Sequence, residues 1–168
     1  MQAIVCVDQN WGIGKDGALA IRLKSDIKRF RELTEGNGVV MGRKTFESIP
    51  NHPLPNRFNS VLSSDPNYGV GVPMTNSSRG KTIFLNEDEF LKYFKVDENW
   101  ELWLAGGAKT YENLIGCCTN AEVIRVLSDL KCDCFFPDLS KIEGWELVET
   151  SDVMEEDGMQ FFCQRPHG

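Results

Sequence analysis

The stretch GVVMGRKTFESI, residues 38–49, passes directly from an apolar run to a polar segment. The run GVVM at 38–41 is typical of a strand buried on both faces, and the segment from Arg43 toward Ile49 predicts a short helix. The stretch ELWLAGGAKTYENLI, residues 101–115, repeats this order, with a strand over 101–105, a glycine turn and another helix. Strands that alternate with helices favour parallel pairing with right-handed crossovers, so both stretches indicate an α/β fold.

The remaining elements first continue this alternation and then depart from it. Apolar periodicity predicts a helix over 25–35, and Asn86 with Glu89 forms a capping box at the start of another helix. The last strands lack intervening helices, and the acidic turn at 155–158 predicts an antiparallel hairpin. Further strands are predicted at 2–8, 58–63, 81–85, 123–127, 146–150 and 159–164.

We therefore predict one α/β domain over residues 1–168, a length that suits one domain with a sizeable core. Its centre should be a mixed, mostly parallel twisted β-sheet flanked by helices on both faces, with an antiparallel hairpin at the C-terminal edge. Residues 64–80 are rich in Gly, Ser, Pro and Asn, and we expect a long loop there rather than a domain boundary.

Composition and charge narrow the class of protein. The formal net charge of −7 argues against nucleic acid or an anionic membrane as the main partner, although a locally basic pocket can still hold an anion. No apolar run approaches the ~18 residues that span a bilayer, and residues 1–10 lack the basic segment of a secretory signal. We expect a cytoplasmic protein with free thiols and no metal site. Neither zinc-site nor CxxC spacing occurs among its cysteines, which are Cys6, Cys117, Cys118, Cys132, Cys134 and Cys163.

Glycines and cations stand where predicted strands lead into helices. The glycine pair at 106–107 would let a ligand approach the backbone at a helix start, where free N–H groups favour a phosphate. The GRKT segment at 42–45 places two cations at another helix start, where the dipole disfavours them unless an anion is bound. Ser63 and Ser64, at the end of a strand, would add hydroxyl donors. Together these motifs predict a nucleotide cofactor, although each alone also suits a tight turn or a solvated surface segment.

Asp26 lies in the first turn of the predicted helix 25–35. A carboxylate there commonly stabilises the helix by ~0.3–1 kcal/mol, which is one explanation for it. Phe30 lies one turn further along and Ile27 flanks the same face, so Asp26 borders the apolar stripe and must reach either water or a partner. A ligand with paired N–H donors would be such a partner. Arg57 follows a proline-rich loop and is either a surface residue or the site for a carboxylate at the ligand's opposite end.

These residues occur in an order that resembles the dihydrofolate reductase family over essentially the whole chain. The matching stretches are AIVCVDQNWGIGKDGAL, SDIKRFRELT, VVMGRKTFESI, LPNR, AGGAKTYENL and CDCFFPD, followed by the WELVETS of the final hairpin. The resemblance implies reduction of 7,8-dihydrofolate to tetrahydrofolate with NADPH, with hydride reaching pterin C6 and a proton reaching N5. It further implies a role in one-carbon metabolism, a monomeric state and inhibition by antifolates.

The resemblance also implies roles for individual residues. Asp26 matches the acid that binds the pterin 2-amino and N3 groups and raises the basicity of N5, so it is the expected catalytic residue. Arg57 matches the partner of the glutamate α-carboxylate. The expected substrate contacts are Cys6, Asp26, Ile27, Phe30, Ile49, Leu54, Arg57 and Tyr111. The expected NADPH contacts are Ile13, Gly14, Leu19, Arg43, Lys44, Thr45, Ser63, Ser64, Gly106, Gly107, Ala108, Lys109 and Thr110.

Three positions depart from the family pattern. The family usually has Leu-Pro-Trp in the loop before the acid, and Ile21 stands in place of that tryptophan. The strand threonine that normally hydrogen-bonds the acid aligns with Ile124. The loss of both polar supports should raise the pKa of Asp26. Ala105 replaces a larger aliphatic residue, which should enlarge the pocket beside the pterin.

Three other functions are compatible with parts of this pattern. A pteridine or riboflavin-pathway reductase would share the fold and NADPH, but Asp26 and Arg57 favour folate. The replaced tryptophan and threonine suit a folate- or nucleotide-binding module with weak activity. A flavodoxin-like electron carrier would need a phosphate loop directly after the first strand, which the sequence lacks.

Overall fold

The computed structural model describes residues 1–70, 80–93 and 101–168 of the chain, so residues 71–79 of the predicted long loop lie outside the described residues. The helices are α1 (Lys24–Thr34), α2 (Arg43–Ser48), α3 (Glu87–Tyr93) and α4 (Ala108–Leu114), with 3₁₀ helices at Ile115–Cys117 and Leu139–Lys141. The strands are β1 (Gln2–Val7), β2 (Gly12–Lys15), β3 (Ala18–Leu19), β4 (Gly38–Gly42), β5 (Phe58–Leu62), β6 (Lys81–Leu85), β7 (Leu102–Leu104), β8 (Asn120–Val126), β9 (Cys134–Phe135), β10 (Glu146–Thr150), β11 (Met154–Glu156) and β12 (Met159–His167).

Nine of the described strands form one mixed sheet. The strand order is β10-β12-β8-β1-β7-β4-β5-β6, and β11 pairs with β12. The pairs β1–β7, β1–β8, β4–β7, β4–β5 and β5–β6 are parallel. Strand β12 is antiparallel to β8, β10 and β11. The predicted α/β class, with a mostly parallel sheet and an antiparallel C-terminal edge, is therefore confirmed.

Helices cover both faces of this sheet because successive strand residues point in opposite directions. Val40 of β4 packs in the buried cluster that contains Leu114 of α4. Its neighbours Val39 and Met41 pack instead with Phe46 of α2. Burial of such side chains, worth ~1.5–3 kcal/mol each, fixes the two helices against the sheet. Both helices begin at the carboxyl ends of β4 and β7, which are neighbouring parallel strands.

A second sheet, in the antiparallel order β3-β2-β9, was not predicted. Strands β2 and β3 form a hairpin in which Lys15 pairs with Ala18. The turn between them is Asp16-Gly17, whose φ angles are 51° and 79°. Asp-Gly is a strong hairpin signal, but the flanking strands have only four and two residues, so apolar alternation gives it little support.

The C-terminal edge differs from the prediction in its connections. The acidic turn joins β12 to the short strand β11 rather than to β10, because Glu156 pairs with Met159 across residues 157–158. Strand β10 pairs with the later part of β12, from Gln164 to His167. Strand β12 is therefore longer than predicted, since its second half has β10 as a partner on that side.

Several local predictions agree with the structure. The Asn86 amide donates to Glu89 Oε1 at 3.2 Å, and the Glu89 amide donates to Asn86 Oδ1 at 2.7 Å, which is the predicted capping box. All six cysteines are free thiols.

Strand β8 begins earlier than predicted, at Asn120, because that residue already pairs with Gln2 of β1. Within the described ranges, no helix is long and apolar enough to cross a membrane.

Candidate active site

Helix α1 carries a carboxylate in its first turn and supports a guanidinium at its last residue. Asp26 lies in the first turn and Thr34 ends the helix. Thr34 Oγ1 accepts a hydrogen bond from Nη1 of Arg57 at 3.1 Å. Thr34 follows Asp26 by eight positions, which at ~1.5 Å per residue corresponds to roughly 12 Å along the helix. This spacing suits an elongated ligand with N–H donors at one end and a carboxylate at the other.

Asp26 is partly buried, and its carboxylate accepts no hydrogen bond from the other described residues. Burial is the largest influence on its pKa, which rises to about 6. The Arg29 guanidinium lowers this pKa and the Glu156 carboxylate raises it. The direction agrees with the predicted rise, although burial is the main physical cause. A carboxyl group with a pKa this close to neutrality, and without a protein donor, is a candidate ligand-binding group.

Cys6 lies close to Asp26, and it borders a wall of buried apolar side chains. Ile124 of β8 pairs with Cys6 of β1, and it packs in the same buried cluster as Ile21. Ile124 and Ile21 are 3% and 5% exposed. The pKa of the Cys6 thiol is raised, first by burial and then by the nearby Asp26 carboxylate. The side chains of the two isoleucines offer no hydrogen-bonding group, in line with the expected loss of polar support for Asp26.

Tyr111 of α4 is buried against β1, in a cluster that includes Val5. Its hydroxyl donates to the carbonyl oxygen of Ile4 at 2.6 Å. Burial raises the pKa of Tyr111, and the Asp26 carboxylate raises it further. The phenol therefore stays neutral and keeps its hydrogen bond to the strand.

Arg57 is 7% exposed, so it is not the surface residue that its loop position alone would suggest. Its Nε donates to the carbonyl oxygen of Pro55 at 2.9 Å, in addition to the bond from Nη1 to Thr34. Asn59 fixes this loop, because its side-chain amide donates to the carbonyl oxygens of Leu54 and Arg57, each at 3.1 Å. Burial lowers the pKa of Arg57, but a guanidinium stays charged, and Nη2 has no acceptor among the described residues.

The apolar residues predicted to contact the substrate lie mostly in one cluster. Leu54 is buried in it, and its partly buried borders include Phe30, Ile49 and Ala105. Phe30, Ile49 and Leu54 are the side chains expected between the two ends of the ligand, and the predicted enlargement of the pocket at Ala105 stays a prediction. Ile27 is the exception, because it is 62% exposed and packs in none of the buried clusters. Its contact with the substrate stays a prediction.

The two glycine turns meet at the carboxyl ends of β4 and β7. The Gly42 amide donates to the carbonyl oxygen of Gly106 at 2.8 Å. A Cβ atom on Gly42 would lie 2.8 Å from Thr110 Oγ1, and one on Gly107 would lie 3.2 Å from Thr45 Oγ1. Larger residues would therefore separate the starts of α2 and α4. The starts of the two helices therefore lie side by side, as the binding of one extended anion requires.

Arg43 opens α2 between two carboxylates and an aromatic ring. Its Nε donates to Glu47 Oε1 at 2.9 Å, and its Nη1 lies 3.6 Å from Asp65 Oδ2. The guanidinium carbon lies 4.0 Å from the centroid of the Tyr68 ring. The hydrogen bond from Arg43 lowers the pKa of Glu47. Ser63 belongs to the same group, because its Oγ accepts a hydrogen bond from the Asp65 amide at 3.1 Å.

The remaining predicted cofactor residues differ in exposure. The buried ones are Ile13 and Gly14 on β2, and the exposed ones are Leu19, Lys44, Ser64 and Lys109. Ala108 is half-buried at the start of α4. The carbonyl oxygen of Ile13 accepts a hydrogen bond from Ala20 at 3.2 Å, which holds the β2–β3 hairpin closed. The contacts of these residues with a cofactor stay predictions.

The chain is similar in sequence to proteins of one known family. The family model for dihydrofolate reductase matches residues 1–165. The chain belongs to the dihydrofolate reductase family. It is 35% identical to dihydrofolate reductase of Gallus gallus, over 96% of this chain and 92% of that protein. It is 29% identical to a bifunctional dihydrofolate reductase-thymidylate synthase of Paramecium tetraurelia over 96% of this chain, but it spans only 33% of that protein.

A solved structure shows the same fold. Dihydrofolate reductase from Enterococcus faecalis, complexed with NADP(H) and RAB-propyl, matches with a TM-score of 0.77 and 30% sequence identity. The match covers 99% of this chain and 94% of that chain. The predicted family and fold are both confirmed.

Asp8 is a buried acid in this dihydrofolate reductase domain that the sequence analysis missed. It is 1% exposed. Its carboxylate accepts hydrogen bonds from the backbone amides of Asn10, Gly12 and Leu130 at 2.9, 2.8 and 3.0 Å. Asp8 thus fixes the loop that leads to Ile13. The available signal was a carboxylate directly after an apolar strand and shortly before a glycine, which is typical of a turn-forming aspartate.

Two further charged contacts at the start of α1 were also missed. Arg29 forms an ion pair and hydrogen bond with Glu122 of β8. The Ser25 amide donates to Oε1 of Glu156 on β11 at 3.2 Å. These contacts join residues 93 and 131 positions apart, so no local pattern predicts them. Both bring charge close to Asp26.

Proposed function

We propose that this member of the dihydrofolate reductase family reduces 7,8-dihydrofolate to 5,6,7,8-tetrahydrofolate with NADPH and so supplies one-carbon metabolism. The observation that carries the proposal is the Asp26 carboxylate, which is partly buried and has no donor in the described part of the protein. A buried carboxylate needs a hydrogen-bonding partner, and the edge of a pterin ring offers paired N–H donors. At the other end of α1, Arg57 provides a site for the glutamate carboxylate.

Asp26 acts by holding the pterin. Its carboxylate accepts hydrogen bonds from the 2-amino group and N3 of the ring. Negative charge at that edge raises the basicity of N5, which takes its proton from water, while NADPH supplies the hydride that pterin C6 receives. Tyr111 and Cys6 stay neutral beside the ring because burial raises both of their pKa values.

The residues around the two glycine turns fit a phosphorylated dinucleotide. Gly42, Gly106 and Gly107 leave the strand ends open to a close backbone approach, and the hydroxyls of Thr45 and Thr110 lie beside them. Cations and hydroxyls near a helix start are the groups that bind phosphates. We assign the phosphates to these groups together with Arg43, Lys44, Ser63, Ser64, Ala108 and Lys109, and the nicotinamide to Ile13, Gly14 and Leu19.

We further propose that residues 1–168 work as one domain, as a monomer in the cytoplasm and without a nucleic-acid partner. The six free thiols suit a reducing compartment. The net charge of −7 disfavours nucleic acid.

The proposal is tested by following NADPH oxidation through its near-ultraviolet absorbance. The loss of absorbance should require both the protein and dihydrofolate. Parallel assays with NADH and with a ribitylaminopyrimidine substrate measure cofactor preference and test the riboflavin-pathway alternative. Binding of dihydrofolate without NADPH oxidation would contradict the proposal and indicate a non-catalytic folate-binding module.

Replacing Arg43 with alanine should weaken the binding of NADPH far more than the binding of NADH. Only NADPH carries a 2′-phosphate dianion, which a guanidinium binds through charge-assisted hydrogen bonds. We expect the Kd for NADPH to rise about tenfold and the Kd for NADH to change by less than about twofold, because the site is solvent-exposed. Calorimetric titration with both cofactors measures the difference. Equal losses would show that Arg43 does not contact the 2′-phosphate.

Replacing Ile124 with threonine should give Asp26 the hydroxyl partner that its wall lacks. That hydrogen bond should lower the pKa of Asp26 and tighten 2,4-diaminopyrimidine inhibitors by up to about tenfold, equivalent to ~1.4 kcal/mol. Ile124→Val is the matched control, since valine has the shape of threonine without the hydroxyl. Inhibitor titration and the pH profile of turnover measure both effects. If the threonine and valine variants behave alike, the hydroxyl does not reach Asp26.

A further inference from the structure

Among the residues that the structure describes, two carboxylates contact the Arg43 guanidinium. Its guanidinium faces two carboxylates, with Glu47 Oε1 at 2.9 Å from Nε and Asp65 Oδ2 at 3.6 Å from Nη1. Within these described contacts, the Arg43 guanidinium is shared between the two carboxylates. A 2′-phosphate that approaches Arg43 has to replace or tolerate these carboxylates.

Asp65 is held in this position by its own loop. Its Oδ1 accepts a hydrogen bond from the Asn67 amide at 2.9 Å, and its amide donates to Ser63 Oγ at 3.1 Å. The carboxylate is thus fixed beside Arg43 and beside a hydroxyl assigned to the phosphates. Glu47 differs, because it lies four residues after Arg43 on the same short helix and pairs with it locally.

We propose that Asp65 is a cofactor-specificity residue, which reduces the preference of this protein for NADPH over NADH by competing with the 2′-phosphate for Arg43. The inference rests on the proposed function. The Arg43–Asp65 pair is 42% and 49% exposed, so water and salt screen it and a bound phosphate can displace it. This competition weakens the binding of NADPH alone, since NADH has a hydroxyl in place of the 2′-phosphate.

The experiment compares the unmodified protein with Asp65→Asn. Asparagine keeps the side-chain oxygen that accepts from Asn67 and removes only the charge. Calorimetric titrations should show the Kd for NADPH falling about three- to tenfold at low salt and the Kd for NADH changing by less than about twofold. The gain for NADPH should shrink at high salt. The Kd for adenosine 2′,5′-bisphosphate should fall as the Kd for NADPH does, and the Kd for adenosine 5′-monophosphate should stay as unchanged as the Kd for NADH.

The matched control is Asp138→Asn. Like Asp65, Asp138 accepts a hydrogen bond from the backbone amide two residues further on, since Oδ1 accepts from the Ser140 amide at 3.0 Å. Its Oδ2 lies 3.9 Å from Nζ of Lys141, so it also pairs with a cation. It precedes the 3₁₀ helix beside β10, at the opposite edge of the sheet from the β5 end that carries Asp65. This variant loses the same charge, and its cofactor affinities should not change.

The outcomes separate the inference from the proposed function. Tight NADPH binding by the unmodified protein with no selective gain in Asp65→Asn would overturn the role of Asp65 alone. The same would follow if NADPH and NADH improved equally, or if Asp138→Asn gave the same gain. If the unmodified protein bound neither cofactor, both the proposed function and the role of Asp65 would be wrong.

Discussion

Replacing Asp26 with asparagine should reduce dihydrofolate turnover near neutral pH by about two orders of magnitude or more. Asparagine keeps the shape of the side chain but removes the charge, and its NH₂ group faces the N–H donors of the pterin. Two charge-assisted hydrogen bonds, each worth ~1.5–3 kcal/mol, are lost or weakened together. Steady-state kinetics of NADPH oxidation, expressed as kcat/KM, measure this loss.

The pH profiles of the two proteins should also differ. Burial raises the pKa of Asp26 to about 6, and protons become scarcer as the pH rises above this value. Turnover of the unmodified protein should therefore fall as the pH rises well above this value, since the proton that N5 needs is lost. The asparagine variant should gain activity as the pH falls, because only substrate that is already protonated reacts. A variant with normal turnover near neutral pH would leave Asp26 the role of a helix-stabilising charge.

The same substitution should stabilise the fold at neutral pH. The folded protein binds the Asp26 proton more tightly than the unfolded chain, whose aspartate pKa is near 3.8. Stability from this group is therefore present below the unfolded pKa and is lost as the pH rises through about 6. Asparagine is neutral throughout, so we expect a gain of up to about 3 kcal/mol above that pH and no gain near about pH 4. Urea unfolding at both pH values measures it, and a loss of stability would reveal a protein partner for the carboxylate.

The glycine turns show how far local sequence can predict this fold. The strand–glycine–helix order at 38–49 and 101–115 predicted two helix starts at the carboxyl ends of parallel strands, and the sheet contains both. Their meeting depends on β4 and β7 being neighbours, which is a property of the strand order and not of either stretch. The close contact between Gly42 and Thr110 follows from that order.

The local sequence pattern did not decide the role of Arg57. A lone arginine after a proline-rich loop is ordinarily exposed, so the residues alone left a surface role and a carboxylate site as alternatives, and the family resemblance favoured the carboxylate site. It is buried because Thr34 and Asn59, from a helix end and a neighbouring strand, fix its guanidinium and its backbone. The contacts of Arg29 and Ser25 were not predicted, since each depends on a strand more than 90 residues away.

Replacing Arg57 with leucine should raise the KM for dihydrofolate by about a hundredfold, because truncating one member of a buried charge pair costs ~2–5 kcal/mol. The value of kcat should change little, since the proposed position of the reacting ring is at the Asp26 end of α1, roughly 12 Å away. The fold should tolerate the change. Thr34 Oγ1 keeps its bond to the carbonyl oxygen of Phe30 at 2.7 Å, so its hydroxyl does not lose its only partner. Steady-state kinetics with varied dihydrofolate measure both constants.

A substrate without the glutamate tail makes this test specific. A dihydropterin that lacks the carboxylate cannot use Arg57, so its kcat/KM should be the same in the unmodified protein and in Arg57→Leu. Arg57→Lys should lie between the two for full-length dihydrofolate, because an ammonium keeps the charge but lacks the planar pair of donors that matches a carboxylate. If the leucine variant loses activity equally toward both substrates, Arg57 supports the loop at 54–57 rather than the carboxylate. The spacing along α1 would then no longer define the length of the ligand.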